Sequence, residues 1–326
     1  MKIFATSCAE GPDAWNHQLV ALRALFAQAS PSLHTWVDSP KEADIIFLTN
    51  AAQPHGDALA DHPLPRRFPE KCFHLSEQWE PPFLLAGIYA NAPRSPFWKG
   101  RFRTGSYALH HPDFKNPFVE KYTPDQALPA SERRWLFTFA GRDCHPVRRK
   151  LFDLGINAPD IRILDTSDFN AFSHDPLGKE DAQRRYFDEC LRSKFILCPR
   201  GAGPNSIRLF EALKLGIAPI IIADAWIPCE GPDWSSFALF IAEKDIASVE
   251  QRVRAIEPEF EERGRKARLA YETFFAPERY FNYLVDAAVS IRRSRVVPER
   301  VFLMLRPLAS FLRQMPRHIR RRVTRS

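Results

Sequence analysis

Between Cys198 and Gly216 the chain reads CPRGAGPNSIRLFEALKLG, a segment that concentrates residue types able to bind an anion. An apolar run ends at Cys198 and turns through Pro199, Arg200, Gly201, Ala202 and Gly203 before a helix is predicted to begin at about Asn205. Gly201 and Gly203 let the backbone approach a ligand closely, or bend where other residues cannot. The N–H groups left over at a helix start, together with the helix dipole, favour a phosphate there. Arg200 in the loop and Arg208 inside the helix add permanent charges whose forked donors suit phosphate oxygens. Glu211, three residues after Arg208, shares its helix face and can accept both hydroxyls of a ribose. The plainer alternative is a structural turn with Asn205 as N-cap and an Arg208–Glu211 surface pair. The loop is neither GxGxxG nor a Walker sequence, which argues against a nicotinamide dehydrogenase or a P-loop ATPase.

The elements that must position this segment alternate along the chain. KIFATS (2–7) is predicted as a strand, WNHQLVALRALFAQA (15–29) as an amphipathic helix, ADIIFLT (43–49) as a buried strand and KCFHLSE (71–77) as another. From Arg134 the rhythm becomes regular. Strands at 135–141, 161–167, 194–201 and 218–224 are separated by helices at 146–155, 180–193 and 205–216. Helices near 244–256, 258–275 and 277–292 follow. Strands joined by helical crossovers of this length specify a parallel, doubly wound sheet. The fold class is α/β, with two Rossmann-like doubly wound domains facing a cleft. Their expected spans are 1–133 and 134–276, and 277–326 forms a crossing helix and a basic tail.

Charge is distributed unevenly. The 326 residues carry a net +7, yet residues 291–326 hold eleven arginines and a single acid, Glu299. The other 290 residues hold 35 basic and 38 acidic groups, so the body is close to neutral. Cys8, Cys72, Cys144, Cys190, Cys198 and Cys229 are scattered without zinc-like spacing, which predicts reduced and mostly buried thiols. The first residues read as a strand and loop, not a signal peptide, and no window reaches the roughly 18 apolar residues of a spanning helix. The expected location is cytoplasmic.

The string YFDECLRSKFILCPRGAGPNSIRLFEALKLGIAPIIIAD resembles the core of the exostosin family, glycosyltransferase family 47. Matching positions are Ser193, Phe195, Pro199, Arg200, Gly201, Ser206, Arg208, Glu211, Ala212, Leu213, Gly216, Pro219 and Asp224. The stretch 226–246 with Trp234, the stretch 136–154 with Gly141 and Arg148 or Arg149, and DSPKEADIIFLTN (38–50) are similar to further family segments. The resemblance spans roughly residues 1–275 and departs in the middle of the first domain. It implies a GT-B fold and an inverting transfer from a nucleotide-diphosphate sugar, UDP-linked, to a glycan or glycolipid acceptor. No cofactor and no metal are implied, and the sequence contains no Asp-x-Asp pair. By the same resemblance Arg200, Ser206 and Arg208 face the donor phosphates, Glu211 the ribose, and Arg142 a phosphate or the base.

An inverting transfer needs a group that takes the acceptor proton. Glu77 is the leading candidate, with His17, His110 and Asp113 also at predicted strand ends or loops; each is equally readable as an ordinary loop or helix-start residue. The Arg-rich 291–326 segment interleaves apolar residues in the manner of a helix lying on an anionic membrane surface. That reading excludes nucleic acid as partner, places the chain on the inner face of a membrane, and expects removal of residues 296–326 to leave the body folded. The alternative to an enzyme is a catalytically silent exostosin-like partner of another glycosyltransferase.

Overall fold

A computed structural model describes residues 1–9, 16–50, 59, 62–81, 83–92, 94, 100–168 and 176–304. Two all-parallel sheets organise them. The first has the order β2 (Thr35–Trp36), β1 (Lys2–Ser7), β3 (Ile45–Thr49), β4 (Cys72–Ser76), β5 (Gly87–Tyr89) and β6 (Phe102–Thr104). The second has the order β11 (Leu239–Phe240), β10 (Ala218–Ile222), β9 (Ser193–Pro199), β7 (Trp135–Gly141) and β8 (Ile161–Asp165). The helices are α1 (His17–Gln28), α2 (Pro63–Arg67), α3 (Pro117–Glu120), α4 (Pro146–Asp153), α5 (Pro176–Leu191), α6 (Ile207–Lys214), α7 (Val249–Ala255), α8 (Phe260–Ala270) and α9 (Pro277–Ser294). Two parallel sheets with crossover helices are the GT-B-like α/β class expected above.

Residue choice explains the elements. Every residue of β3 and of β10 is buried, as a parallel sheet covered on both faces requires. Helix α6 buries Leu209, Phe210, Ala212 and Leu213 on one side. It ends where Gly216 adopts φ +67°, a left-handed value that glycine takes without a Cβ penalty. The short strands β5 and β6 carry no readable pattern, and the sequence did not announce them. They form because β5 pairs with β4 and β6 with β5 while α9 packs over both.

Helix α9 ties the far end of the chain to the first sheet. Its buried face includes Tyr280, Phe281, Leu284, Val285, Ala288 and Ile291. Phe281 meets Phe26 of α1 at 5.1 Å between ring centroids. The Ser106 N–H donates to the Tyr280 hydroxyl at 2.7 Å, and Asn282 Nδ2 donates to the Pro31 carbonyl at 3.0 Å. The crossing helix thus completes the core of the first half.

The basic segment needs a correction. Residues 295–304 are docked on the first half instead of standing apart as the start of a membrane helix. Glu299, the one acid of the segment, is fully buried. Its Oε1 accepts from Arg101 at 2.5 Å and from the Ala86 N–H at 3.0 Å. Arg295 pairs with Glu70, and the Phe302 ring lies 3.2 Å from the Arg101 guanidinium carbon. Removal of residues 296–326 therefore cannot leave the body unaltered, because it strips a buried arginine of its carboxylate. Residues 305–326 lie outside the described residues. No described helix is long and apolar enough to cross a membrane. The six cysteines are unbridged, five of them buried and Cys144 exposed.

Candidate active site

The loops after the carboxyl ends of β7 and β9 in the second sheet, and after β4 and β5 in the first, come together. Arg148, from α4, is the bolt of the second-sheet loops. Its guanidinium donates to the carbonyls of Arg200 (3.0 Å), Arg142 (3.2 Å) and Pro199 (3.4 Å). It therefore fixes the β7–α4 loop against the β9–α6 loop. Its pKa is pushed down to about 10 by burial and by the neighbouring Arg208, so it remains charged at neutral pH.

Arg208 rises from α6 toward the end of β7. It donates to the Ala140 carbonyl, with its guanidinium carbon 4.7 Å from the Phe139 ring and 5.7 Å from Tyr186. Arg148 lies 5.4 Å from the same Phe139 ring. Arg200 follows β9; its N–H donates to the Ile222 carbonyl at 2.9 Å, and its side chain lies 3.9 Å from Glu243. Among the described residues, Nε of Arg200 and Nε of Arg208 are buried without a hydrogen-bond partner. Positive charge exceeds nearby carboxylate here, and an anion would satisfy it.

Two of the plainer alternatives from the sequence are corrected. Glu211 makes no ion pair with Arg208 within 4 Å; it accepts from the Tyr186 hydroxyl at 2.6 Å. Burial raises its carboxyl, against the opposing pull of Tyr186 and Arg208. Asn205 is not the N-cap. Ser206 holds that position, buried and with no side-chain cap, and its N–H is taken by Asn205 Oδ1 at 2.7 Å. Arg142 is exposed, and its carbonyl rather than its charge serves the loop geometry.

Asn205 instead joins the two halves. Its Nδ2 donates to the Ala90 carbonyl at 2.9 Å, and its N–H donates to Asn91 Oδ1 at 3.2 Å. The Tyr107 hydroxyl donates to the same oxygen at 3.1 Å, while Asn91 Nδ2 donates to the Gln78 carbonyl. Gly203 is pressed against this amide: a Cβ placed there would lie 2.2 Å from Asn91 Oδ1. The closeness that glycine permits is thus toward the first half of the chain, a correction to its reading as a ligand contact. Gly203→Ala should shift the loop and cost about 1–3 kcal/mol by overpacking. Asn91→Ala in the same chain should recover part of that loss. Urea unfolding of the single and double variants measures it, and an unchanged midpoint in Gly203→Ala would contradict the contact.

On the first-half side four candidates cluster. Glu77 directly follows β4 and is 7% exposed. Its Oε1 accepts from the Leu109 N–H at 2.6 Å, and its Oε2 lies 3.3 Å from His110 Nδ1. Burial raises its carboxyl, opposed by His110 and the Leu109 N–H. The His17 ring meets His111 edge-on at 5.3 Å and lies 3.4 Å from Asn50 Nδ2. Its pKa falls to about 4 through burial and the adjacent His111 and His110. Asp113 is exposed and pairs with His111 at 3.5 Å. Asn91, Tyr107 and Tyr186 were missed by the sequence reading, and no local pattern flags them. A cavity of about 350 Å3 lies elsewhere, beside Tyr122, Leu128, Arg133 and Arg268, and contains none of these residues.

The sequence profile of the Exostosin GT47 domain matches residues 60–256. The chain is 30% identical over 138 residues to the Exostosin-1 homolog of Caenorhabditis elegans, covering 36% of this chain and 35% of that protein. It is 34% identical over 133 residues to a probable glucuronoxylan glucuronosyltransferase of Arabidopsis thaliana, covering 35% and 28%. It is 47% identical over 68 residues to a probable glucuronosyltransferase of Oryza sativa subsp. japonica, covering 20% and 16%. The matched part spans about a third or less of the length of these relatives. Among solved structures, WaaG, a glycosyltransferase involved in lipopolysaccharide biosynthesis, aligns with TM-score 0.36 and 12% identity over 89% of this chain and 99% of that one. MurG of Acinetobacter baumannii aligns with TM-score 0.31 and 10% identity over 82% and 94%.

Proposed function

The chain belongs to the Exostosin GT47 domain family, a glycosyltransferase family, and on that premise we propose that it transfers a sugar from a UDP-linked donor to a glycan or glycolipid acceptor with inversion. The observation that carries the reading is the under-compensated set of buried Arg148 and half-buried Arg200 and Arg208 at the ends of β7 and β9, with two buried Nε–H donors lacking a partner among the described residues. Fixed guanidinium groups in a low-dielectric pocket stabilise the charge that gathers on a departing diphosphate. They supply what a divalent ion supplies elsewhere, so the proposed reaction uses no metal. Glu211, held by Tyr186, is the candidate for the ribose.

Calorimetry with UDP and product analysis with UDP-xylose, UDP-glucose and UDP-glucuronic acid test this. UDP binding with slow donor hydrolysis, insensitive to EDTA, is expected. Binding without any turnover points to the silent-partner alternative, and loss of activity in EDTA with recovery in manganese contradicts the metal-free reading. The proposed membrane-surface contact now rests on residues 305–326, which hold seven arginines and no acid. Each arginine near an anionic leaflet contributes about 1 kcal/mol. A chain ending at Met304 should therefore lose sedimentation with anionic vesicles at low salt; equal sedimentation removes the proposal.

A further inference from the structure

We infer that His110 takes the acceptor proton and that Glu77 is its positioning residue. This rests on the glycosyltransferase reading above and deepens it by naming the base. The notion that Glu77 itself meets the acceptor fails on geometry. One of its oxygens is held by the Leu109 N–H at 2.6 Å, the other lies 3.3 Å from His110 Nδ1 without a formed hydrogen bond, and the side chain is almost closed to solvent. The His110 side chain, by contrast, is 30% exposed.

With Glu77 Oε2 3.3 Å from Nδ1, a small turn of either side chain closes that hydrogen bond; the Nδ1–H tautomer then leaves the Nε2 lone pair on the opposite side of the ring. Tyr107 and Phe114 hold the imidazole, with ring centroids 5.8 and 5.2 Å away. Tyr107 connects it to the donor side, since its hydroxyl donates to Asn91 Oδ1, the same oxygen that receives the Asn205 N–H. Ionisable groups around His110 are Glu77, His17, His111, Tyr107 and Lys115. His17 is neutral near neutral pH and adds no opposing charge, while the Lys115 ammonium is turned to the Ala108 carbonyl at 2.8 Å.

In the step itself the acceptor oxygen bonds to the anomeric carbon while the bond from that carbon to the diphosphate oxygen breaks. The electron pair leaves with the diphosphate toward the arginines. The hydroxyl proton moves to Nε2 of His110, and the imidazolium formed is stabilised by Glu77 before the proton passes to solvent. In donor hydrolysis water replaces the acceptor and needs the same base.

Two readouts test the assignment. The first is UDP release from UDP-xylose, UDP-glucose and UDP-glucuronic acid, alongside calorimetry with UDP. His110→Ala should lower turnover by about 10²–10⁴-fold with UDP affinity within about twofold, and added imidazole should restore part of it. Glu77→Gln should lower kcat while leaving UDP affinity unchanged. The second readout needs no turnover: long-range 1H–15N NMR should show His110 as the Nδ1–H tautomer, and Glu77→Gln should abolish that preference. An Nε2–H tautomer at His110, or His110→Ala turning over at the wild-type rate, overturns the inference. Failure of the wild-type chain to bind UDP instead defeats the glycosyltransferase reading, and the tautomer measurement still decides on the Glu77–His110 pair.

Discussion

Glu299→Ala should lower the stability of the whole chain by about 3–5 kcal/mol, the cost of leaving a buried charge without its partner. Arg101 is 4% exposed and its partner carboxylate is fully buried. The same substitution removes the acceptor of the Ala86 N–H immediately before β5, and it takes a carboxylate away from Arg295 at 3.7 Å. Urea unfolding monitored by tryptophan fluorescence measures the change. A double variant, Arg101→Met with Glu299→Leu, should regain most of the loss, since packed apolar side chains often replace a buried ion pair at little cost. A midpoint that does not move in Glu299→Ala would mean the pair is not closed in solution.

Arg208→Ala should weaken UDP binding by about 1.5–3 kcal/mol, the worth of a hydrogen bond to a charged group, or roughly 10- to 150-fold in Kd. Arg208→Lys should recover little. The guanidinium is planar, lies against Phe139 and Tyr186, and reaches the Ala140 carbonyl while retaining a free Nε–H donor. An ammonium reproduces the charge but not the stacked fork. Titration calorimetry with UDP on both variants decides the matter; equal affinity in Arg208→Ala would remove this arginine from the donor site.

Much of the second sheet was readable in advance, for a physical reason. Strands β7, β9 and β10 are apolar runs buried on both faces, and the helices between them show helical spacing, so local pattern and tertiary demand coincide. That Arg200, Arg208 and Glu211 lie near one another was legible because they sit within one loop and one helix. What they touch was not. Tyr186 comes from α5, Phe139 from β7 and Asn91 from a loop of the other half, and nothing in the local sequence marks those encounters. Strands β5 and β6 escaped because three-residue segments such as GIY and FRT have no periodicity to detect; neighbouring strands and α9 make them strands. Glu299 shows the opposite hazard. A lone acid among eleven arginines looked like an exception in a solvated tail, yet it is the residue that docks the segment.

The placement of α9 bears on the order in which the molecule can be made. The first sheet is encoded before residue 105, but Tyr280, Phe281, Leu284 and Ile291, which complete its core, and Glu299, which neutralises Arg101, are encoded near the other end. On a ribosome adding about 5–20 residues per second, the strands of the first half wait roughly 10–40 s for that helix. The second sheet has no such delay, because its strands and α4 to α8 emerge as one continuous stretch. The half that is synthesised later should therefore reach its native packing earlier, and the half synthesised first should spend that interval with its α9-facing surface exposed to whatever chaperones attend the nascent chain.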